Sequence, residues 1–339
     1  MDFEQIRAQF DLQSEVERDL GQPLSTSGKW VKWRCPFHAD DTPSFGVMGD
    51  HFYCFGCGAR GDIVDWLRDF RGMSLDQILT DANVDSVESR LRRLEYQQRK
   101  NTRDIEETQK RVSALERISH CTDHIKYHAT MSDEAWLYWY QQGFYRETIE
   151  QYQLGYCQQC PTDWAKKDGQ LEFVGRPSYT IPVISNGKLW DIRHRLTEAH
   201  GGDKYRPHVS GLPRVLFNAD YLRTEQDTLV VTEGEKKSIC AAQLGFPNVG
   251  IMGKNGFDEA WVSRFDRFKA VYVALDPDAL VPPKNSKDPK AIAPAEKVAG
   301  LFGGRGYIVS LPDKLDDMVV EYGATTKDIQ AFIDCAKRV

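Results

Sequence analysis

The sequence predicts a multidomain chain of mixed α/β and α+β class, with an N-terminal zinc ribbon, a helical tether, an α+β subdomain and a C-terminal α/β domain whose sheet is mainly parallel. Three observations predict it. Cys35-x-x-His38 and Cys54-x-x-Cys57 form two ligand pairs around a stretch, TPSFGVMGDHFY, that alternates as a hairpin does. No glycine or proline occurs between Gly72 and Gly143, and that interval carries a long charged, helix-compatible run. From Thr228 onward, short apolar runs alternate with helical stretches, as in a parallel sheet with crossover helices. The resulting division is 1–80, 81–118, 119–227 and 228–339.

At 339 residues the chain can bury two or three modest cores. No stretch approaches the roughly eighteen apolar residues of a membrane span, so no membrane partner is expected. The acidic, amphipathic start MDFEQIRAQFDLQSEVERDL excludes a secretory signal. Eight cysteines fit a reducing cytoplasm better than a disulfide framework. A net charge of −6 argues against constitutive tight binding to nucleic acid, but it hides a distribution. Residues 1–80 are acidic, 81–118 slightly basic and 228–339 balanced, which suits weak contact with DNA through local patches.

Residues 3–20 read as a helix with Phe3, Ile6, Phe10 and Val16 on one side, stopped by Gly21-Gln22-Pro23. In KWVKWRC, Trp30, Lys32, Trp33 and Arg34 set aromatics beside cations, a mixture that can stack on and neutralise single-stranded nucleic acid. The plainer reading makes one tryptophan core and the lysine solvated. Each ligand pair can bite one tetrahedral ion from a tight turn, with Gly56 and Gly58 supplying backbone freedom. His38 argues against an iron–sulfur cluster, which prefers thiolates throughout. Asp62 caps the helix IVDWLRDF, which Gly72 ends. Val84, Val87, Leu91, Leu94, Ile105, Val112 and Leu115 then fall on heptad-like positions, interrupted at Gln98, Asn101 and Thr108. That pattern predicts one long charged helix or two, a semi-rigid tether rather than a strong coiled coil. His120, Cys121, His124 and His128 follow, the three histidines at four-residue steps on one helical face, with Cys157 and Cys160 further on. A second metal site can be drawn from these, but surface histidines and unpaired core thiols are their commoner meaning.

The run from Cys35 to Trp66 resembles the zinc-binding domain of bacterial and phage DnaG-type DNA primases. It shares the CPFH box, the TPSF after it, the YCFGCG knuckle and the GD that opens the next helix. The resemblance implies one structural zinc on Cys35, His38, Cys54 and Cys57, in a domain that helps choose the template start site. Further on, AWLYWYQQGFYRETIEQYQLGY resembles the start of the primase polymerase domain. YTIPVISNGKLWDIRHRL reads as a hairpin around Asn186-Gly187 and leads into GGDKYRPHVSG. This too is similar to the family, where a strand arginine and a Lys-Tyr element line the template and nucleotide groove. On that likeness Arg193, Arg195, Lys204 and Arg206 are phosphate contacts. As an isolated pattern, such a group of cations is usually a solvated face.

Beyond Thr228, TLVV is a strand with Glu233-Gly234 at its carboxyl end, and the helix KKSICAAQLG follows. NVGIM leads into GKNG, and AVYVAL ends at Asp276-Pro277-Asp278. After a Pro- and Lys-rich insertion over 281–294 and the helix AEKVAGLF, YIVSL runs toward Asp313, Asp316 and Asp317. Three strands thus end in carboxylates. Neighbouring strands lie about 5 Å apart, so acids on adjacent strand ends converge. Clustered carboxylates repel unless cations sit among them, and hard oxygen donors suit Mg²⁺ or Mn²⁺. Such ions serve two-metal phosphoryl transfer.

These residues resemble the Toprim fold of primases, topoisomerases and related nucleases. The resemblance implies that Glu233, Asp276 and Asp278 are magnesium ligands and catalytic residues, with Asp316 and Asp317 auxiliary. There is one departure. Relatives carry an aspartate four residues after the glutamate, where this chain has Lys237, preceded by Lys236. A cation there can grip a nucleotide phosphate, partly replace a metal, or mark weakened catalysis. Lys254 in GKNG is a further phosphate candidate.

The likeness spans nearly the whole chain. It implies a DNA primase, a nucleotidyltransferase that makes short RNA primers from ribonucleoside triphosphates on a single-stranded DNA template. It further implies a bacterial or phage-infected cytoplasm, and a replicative helicase or single-strand-binding protein as partner. The sequence stops soon after the Toprim strands, leaving no room for a helicase-binding domain or fused helicase, so a compact phage-, plasmid- or element-encoded form is expected. Two rivals stand beside this reading: a Toprim-type metal-dependent nuclease, and a DNA-binding replication accessory protein with weakened catalysis.

Overall fold

Period-two alternation builds the N-terminal ribbon. In the computed structural model, which describes residues 10–83, 87–167, 170–198, 204–282 and 291–339, five strands pair antiparallel in chain order. They are β1 (Ser25–Ser27), β2 (Trp30–Trp33), β3 (Phe45–Met48), β4 (His51–Cys54) and β5 (Arg60–Asp62). The expected hairpin is β3–β4. Register aligns Val31 with Val47 and Phe52, and Trp33 with Phe45 and Cys54. Successive residues point to opposite faces, so this set shares one side of the sheet and packs with Trp66, buried throughout except for the partly buried Val31.

Two helices close over that core. Leu12–Leu20 starts at its own cap, the Asp11 carboxylate, which accepts from the Ser14 amide at 3.2 Å, so the expected helix is interrupted at Phe10 and Asp11; its part over residues 3–9 lies outside the described residues. Phe10 and Val16 do share the core; Phe3 and Ile6 lie outside the described residues. Ile63–Asp69 starts at Asp62 as expected, within a reciprocal capping box with Asp65. Among the described residues, the part of the glycine-free interval up to Ser119 forms two helices, Leu75–Asn83 and Val87–Ser119. The second has 33 residues, about 50 Å at the helical rise. Its heptad-like Leu94, Ile105 and Val112 are exposed, whereas Ala114 and Ile118 are buried against Val209. Val84 lies outside the described residues. The chain separates into two compact units, Met1–Thr108 and Gln109–Val339, with the division inside this helix.

The second unit begins with helices Asp123–Ala129, Asp133–Gln141 and Arg146–Gln151. Strands β6 (Gly155–Cys157), β9 (Ser178–Ser185), β10 (Lys188–Leu196) and β11 (Tyr205–Pro207) make an antiparallel sheet ordered β11-β10-β9-β6, while β7 (Trp164–Lys167) and β8 (Gln170–Phe173) form a separate hairpin. Asn186 and Gly187 both take positive φ, 52° and 66°, the backbone that a two-residue hairpin turn demands.

The last sheet holds the expected strands β12 (Thr228–Glu233), β13 (Asn248–Ile251), β14 (Ala270–Ala274) and β15 (Gly306–Ile308), plus an edge strand β16 (Lys337–Arg338). Its order is β13-β12-β14-β15-β16, parallel throughout except for β16. Both faces are covered: Val230 packs into one core, Leu229 and Val231 into the other. Parallel direction places the carboxyl ends of β12, β14 and β15 on one rim. The insertion expected over 281–294 lies mostly outside the described residues. Among the described residues no helix is long and apolar enough to cross a membrane, and all eight cysteines are free thiols.

Candidate active site and metal centre

The two knuckles of the ribbon meet as the spacing predicted. One ligand atom each from Cys35, His38, Cys54 and Cys57 lies within 4.8 Å of every other. Cys35 Sγ and Cys57 Sγ are 3.8 Å apart, as are Cys54 Sγ and His38 Nδ1. A tetrahedral ion with metal–sulfur bonds of about 2.3 Å sets its sulfur–sulfur edges near ~3.8 Å, so these residues fit zinc. The Gly56 and Cys57 amides donate to Cys54 Sγ at 3.3 and 3.4 Å, dipoles that favour a thiolate. Gly56 must be glycine for space: a Cβ there would stand 2.8 Å from His38 Nε2.

The sheet face opposite the core carries Trp30 and Lys32. Trp30 meets Phe55 and His51 edge-on, and Lys32 Nζ lies 4.8 Å from the centre of the Phe55 ring. Phe55 is exposed and touches Tyr53, while Arg34 is exposed beyond the strand. Trp33 corrects the sequence reading. One residue on from Lys32, it points into the core, is 2% exposed, and donates its indole N–H to the Gly21 carbonyl at 2.8 Å. Phe55 and Tyr53 were missed, although they flank Cys54 at the odd spacing that lifts them out of the core.

In the second unit, β12 lies beside β14, and β14 beside β15. Glu233 ends β12, and Asp276 and Asp278 follow β14. One carboxylate oxygen from each of the three lies within 4.8 Å of the others. Glu233 Oε2 is buried with no hydrogen-bond partner among the described residues. Burial, then the charge of Asp276, pushes the Glu233 carboxyl above its usual range. Burial likewise raises Asp276 against the pull of Lys237. An unpartnered buried oxygen within a hard-donor trio fits Mg²⁺ or Mn²⁺.

Asp316 and Asp317 stand apart from that trio. They open the helix Leu315–Tyr322, and Asp316 is taken by lysines: Lys236 Nζ is 3.1 Å from its Oδ2, Lys237 Nζ 3.8 Å from its Oδ1. Lys237 Nζ also lies 3.2 Å from Asp276 Oδ1. Burial would raise Asp316, but Lys237 and Lys236 outweigh it and hold the carboxyl below its usual range. Burial works against the Lys237 charge too, and Asp316 and Asp276 overcome it. Asp317 pairs loosely with Lys314 at 3.7 Å, and Lys254 contacts Asp278 directly.

A cavity of about 650 Å³ joins Glu233, Asp276, Asp316 and Asp317 to a cationic wall of Arg193, Arg195 and Lys204. Arg195 donates to the Tyr138 hydroxyl at 2.6 Å. Arg193 sits 3.4 Å from Asp191 and 3.2 Å from Glu235. Lys314 lines the same cavity and escaped the sequence reading, as a single lysine beside a run of acids gives no signal. Arg206 is a second correction. In the β10–β11 ladder Arg193 and Arg195 face Pro207 and Tyr205, while Arg206 pairs with His194 and so projects from the other face.

Residues 1–99 match the family model of the CHC2 zinc finger. A DNA primase of Enterococcus faecalis is 28% identical across 89% of this chain and 53% of its own length. A DNA primase of Chlamydia trachomatis is 30% identical across 76% and 47%. The chain therefore spans about half the length of these curated relatives. The RNA polymerase domain of the Mycobacterium tuberculosis primase DnaG shares its fold, with a TM-score of 0.51 and 14% identity over 67% of this chain and 84% of that domain. By sequence, the chain is similar to these DNA primases over most of its length, and to the CHC2 zinc finger over residues 1–99.

Proposed function

We propose that this relative of the DnaG-type primases is a template-directed nucleotidyltransferase, making short RNA primers from ribonucleoside triphosphates on single-stranded DNA. The observation that carries the reading is one cavity with Glu233, Asp276 and their lysines on one side and Arg193, Arg195 and Lys204 on the other. A divalent ion held by Glu233, Asp276 and Asp278 would neutralise charge on the transferring phosphoryl group and leaving pyrophosphate. The remaining work falls to the chain itself. Tyr138 fixes the Arg195 guanidinium, and Asp191 and Glu235 fix Arg193, so that both forks meet phosphate pre-oriented. Lys204 adds an exposed point charge at the mouth. Lys237 and Lys236 hold Asp276 and Asp316 in place and present ammonium groups to the same space. Glu233 Oε2 is the acceptor left open, to an ion or to the 3′-hydroxyl proton.

On this reading residues 1–80 are the start-selecting zinc domain, with Trp30, Lys32, Arg34 and Phe55 meeting the template. Residues 81–118 are a tether, and 119–227 with 228–339 form the polymerase core. The working location is a bacterial or phage-infected cytoplasm, and a replicative helicase or single-strand-binding protein is the class of partner. Incubation with single-stranded DNA, ribonucleotides and Mg²⁺ tests the activity. Oligoribonucleotides are expected. Shortened DNA would point to a nuclease instead, and retained DNA binding without any product to an accessory protein.

A further inference from the structure

Outside the site already described, three donors from two segments converge at one point. His208 Nε2 lies 3.4 Å from Cys121 Sγ and 3.3 Å from Asp123 Oδ2, and all three ligand atoms fall within 4.8 Å of one another. For a tetrahedral zinc, with bonds of about 2.3 Å to sulfur and about 2.0–2.1 Å to nitrogen and oxygen, the nitrogen–sulfur edge is ~3.5 Å and the nitrogen–oxygen edge ~3.3 Å. The observed separations match both.

The imidazole is held ready. His208 Nδ1 lies 3.0 Å from His194 Nε2, His194 Nδ1 lies 2.8 Å from Ser178 Oγ, and the His208 amide donates to Asp191 Oδ1 at 3.1 Å. His194 and Ser178 are fully buried. If His208 donates its Nδ1 proton to His194, and His194 its own Nδ1 proton to Ser178, every contact is satisfied with neutral rings and Nε2 of His208 keeps its lone pair. Metal-bound histidines are oriented by this kind of outer hydrogen bond. On the open side, Cys121 and His124 line a cavity of about 610 Å³, and His124 Nδ1 is buried with no partner among the described residues. His128 is committed elsewhere, 2.7 Å from the Leu154 carbonyl, and Cys157 bonds the Gln159 carbonyl. The histidine periodicity in the sequence was therefore a poor guide, since the third donor comes from beyond β11.

We infer that Cys121, Asp123 and His208 form a second zinc site, pinning the start of the Asp123–Ala129 helix to the segment that follows β11, with the fourth position facing the cavity. Mixed sulfur, nitrogen and oxygen donors select Zn²⁺ or Co²⁺ over Mg²⁺. The inference does not depend on primer synthesis. Metal analysis of the purified full chain is expected to find two zinc ions, falling to one in Cys121→Ser and to one in Cys57→Ser. Loading the Cys57→Ser chain with Co²⁺ should give a thiolate-to-cobalt absorption that Cys121→Ser lowers and Asp123→Asn shifts. A single zinc in the wild-type chain, or a cobalt band in the Cys57→Ser chain whose intensity and position do not change on loss of Cys121, overturns it. Should Cys121→Ser fail to fold, the Asp123→Asn spectrum in the Cys57→Ser background decides: an unchanged band counts against the site.

Discussion

Lys237 Nζ lies 3.2 Å from Asp276 Oδ1, so the cation four residues after Glu233 is joined to the acid that follows β14. The same ammonium reaches Asp316, which Lys236 also holds. An aspartate at this position would add charge to a cluster that already repels itself. Lysine reverses that balance and supplies, inside the protein, some of the positive charge that an acid cluster otherwise draws from ions.

Removing that ammonium leaves two largely buried carboxylates short of a partner. Lys237→Ala is expected to destabilise the second unit by roughly 3 kcal/mol in the absence of divalent ions, the scale for breaking a buried pair. Millimolar Mg²⁺ should recover part of the loss, and should raise the melting temperature of the variant more than that of the wild type. Thermal melts with and without Mg²⁺ read this directly, and equal melting of the two proteins in chelator would refute the role given to Lys237.

Glu233 behaves in the opposite sense. Its carboxyl is raised by burial and by Asp276, and its Oε2 has no partner among the described residues, so it costs stability where it sits. Glu233→Gln should therefore leave the melting temperature unchanged or higher while lowering primer synthesis by about two orders of magnitude or more. Loss of both stability and activity would mean that Glu233 is a structural residue.

The parts most legible in the sequence were those with a local signature. Cys35, His38, Cys54 and Cys57 advertise themselves by spacing, Asn186-Gly187 by the φ values its turn requires, and Asp62 by its place before an apolar helix. The carboxylates of β12 and β14 could be paired because parallel strands share a rim. What stayed hidden depended on side-chain direction or distant register. Trp33 and Lys32 are neighbours in sequence yet face opposite sides of β2, and Arg206 is separated from Arg193 and Arg195 by a ladder register that the sequence does not print. β16 has two residues, both exposed cations, and no apolar pattern to announce it.

The two tryptophans of β2 should separate folding from binding. Trp33 is packed among Phe45, Phe52 and Trp66, so Trp33→Ala is expected to cost about 3–5 kcal/mol and to release zinc from the ribbon. Trp30 and Phe55 lie on the outer face, and Trp30→Ala should retain zinc while weakening binding to single-stranded DNA by about 1–3 kcal/mol. Zinc content and a fluorescence titration with labelled oligonucleotide distinguish the cases. Unchanged DNA affinity in Trp30→Ala would remove this face from the template path.

The clasp between Asp163 and Arg176 predicts an acid-labile element. Asp163 is fully buried and accepts from the Arg176 amide at 2.8 Å and from its Nε and Nη2 at 2.7 Å each, while its own carbonyl accepts the Val174 and Gly175 amides. The Arg176 side chain, foremost, holds the carboxyl below its usual range. A carboxyl depressed by folding adds stability above its unfolded pKa, near ~3.9, and that stability drains away as pH falls through the lower folded value. Protection of the Val174 and Gly175 amides from hydrogen exchange should accordingly hold at neutral pH and weaken below about pH 4, sooner than in the helices of the same unit. Asp163→Asn removes the buried carboxylate that clasps the half-buried Arg176 and should cost roughly 3 kcal/mol at neutral pH, with the acid dependence of those two amides abolished. If the variant keeps the wild-type pH profile there, the ion pair is not what secures the β7–β8 hairpin.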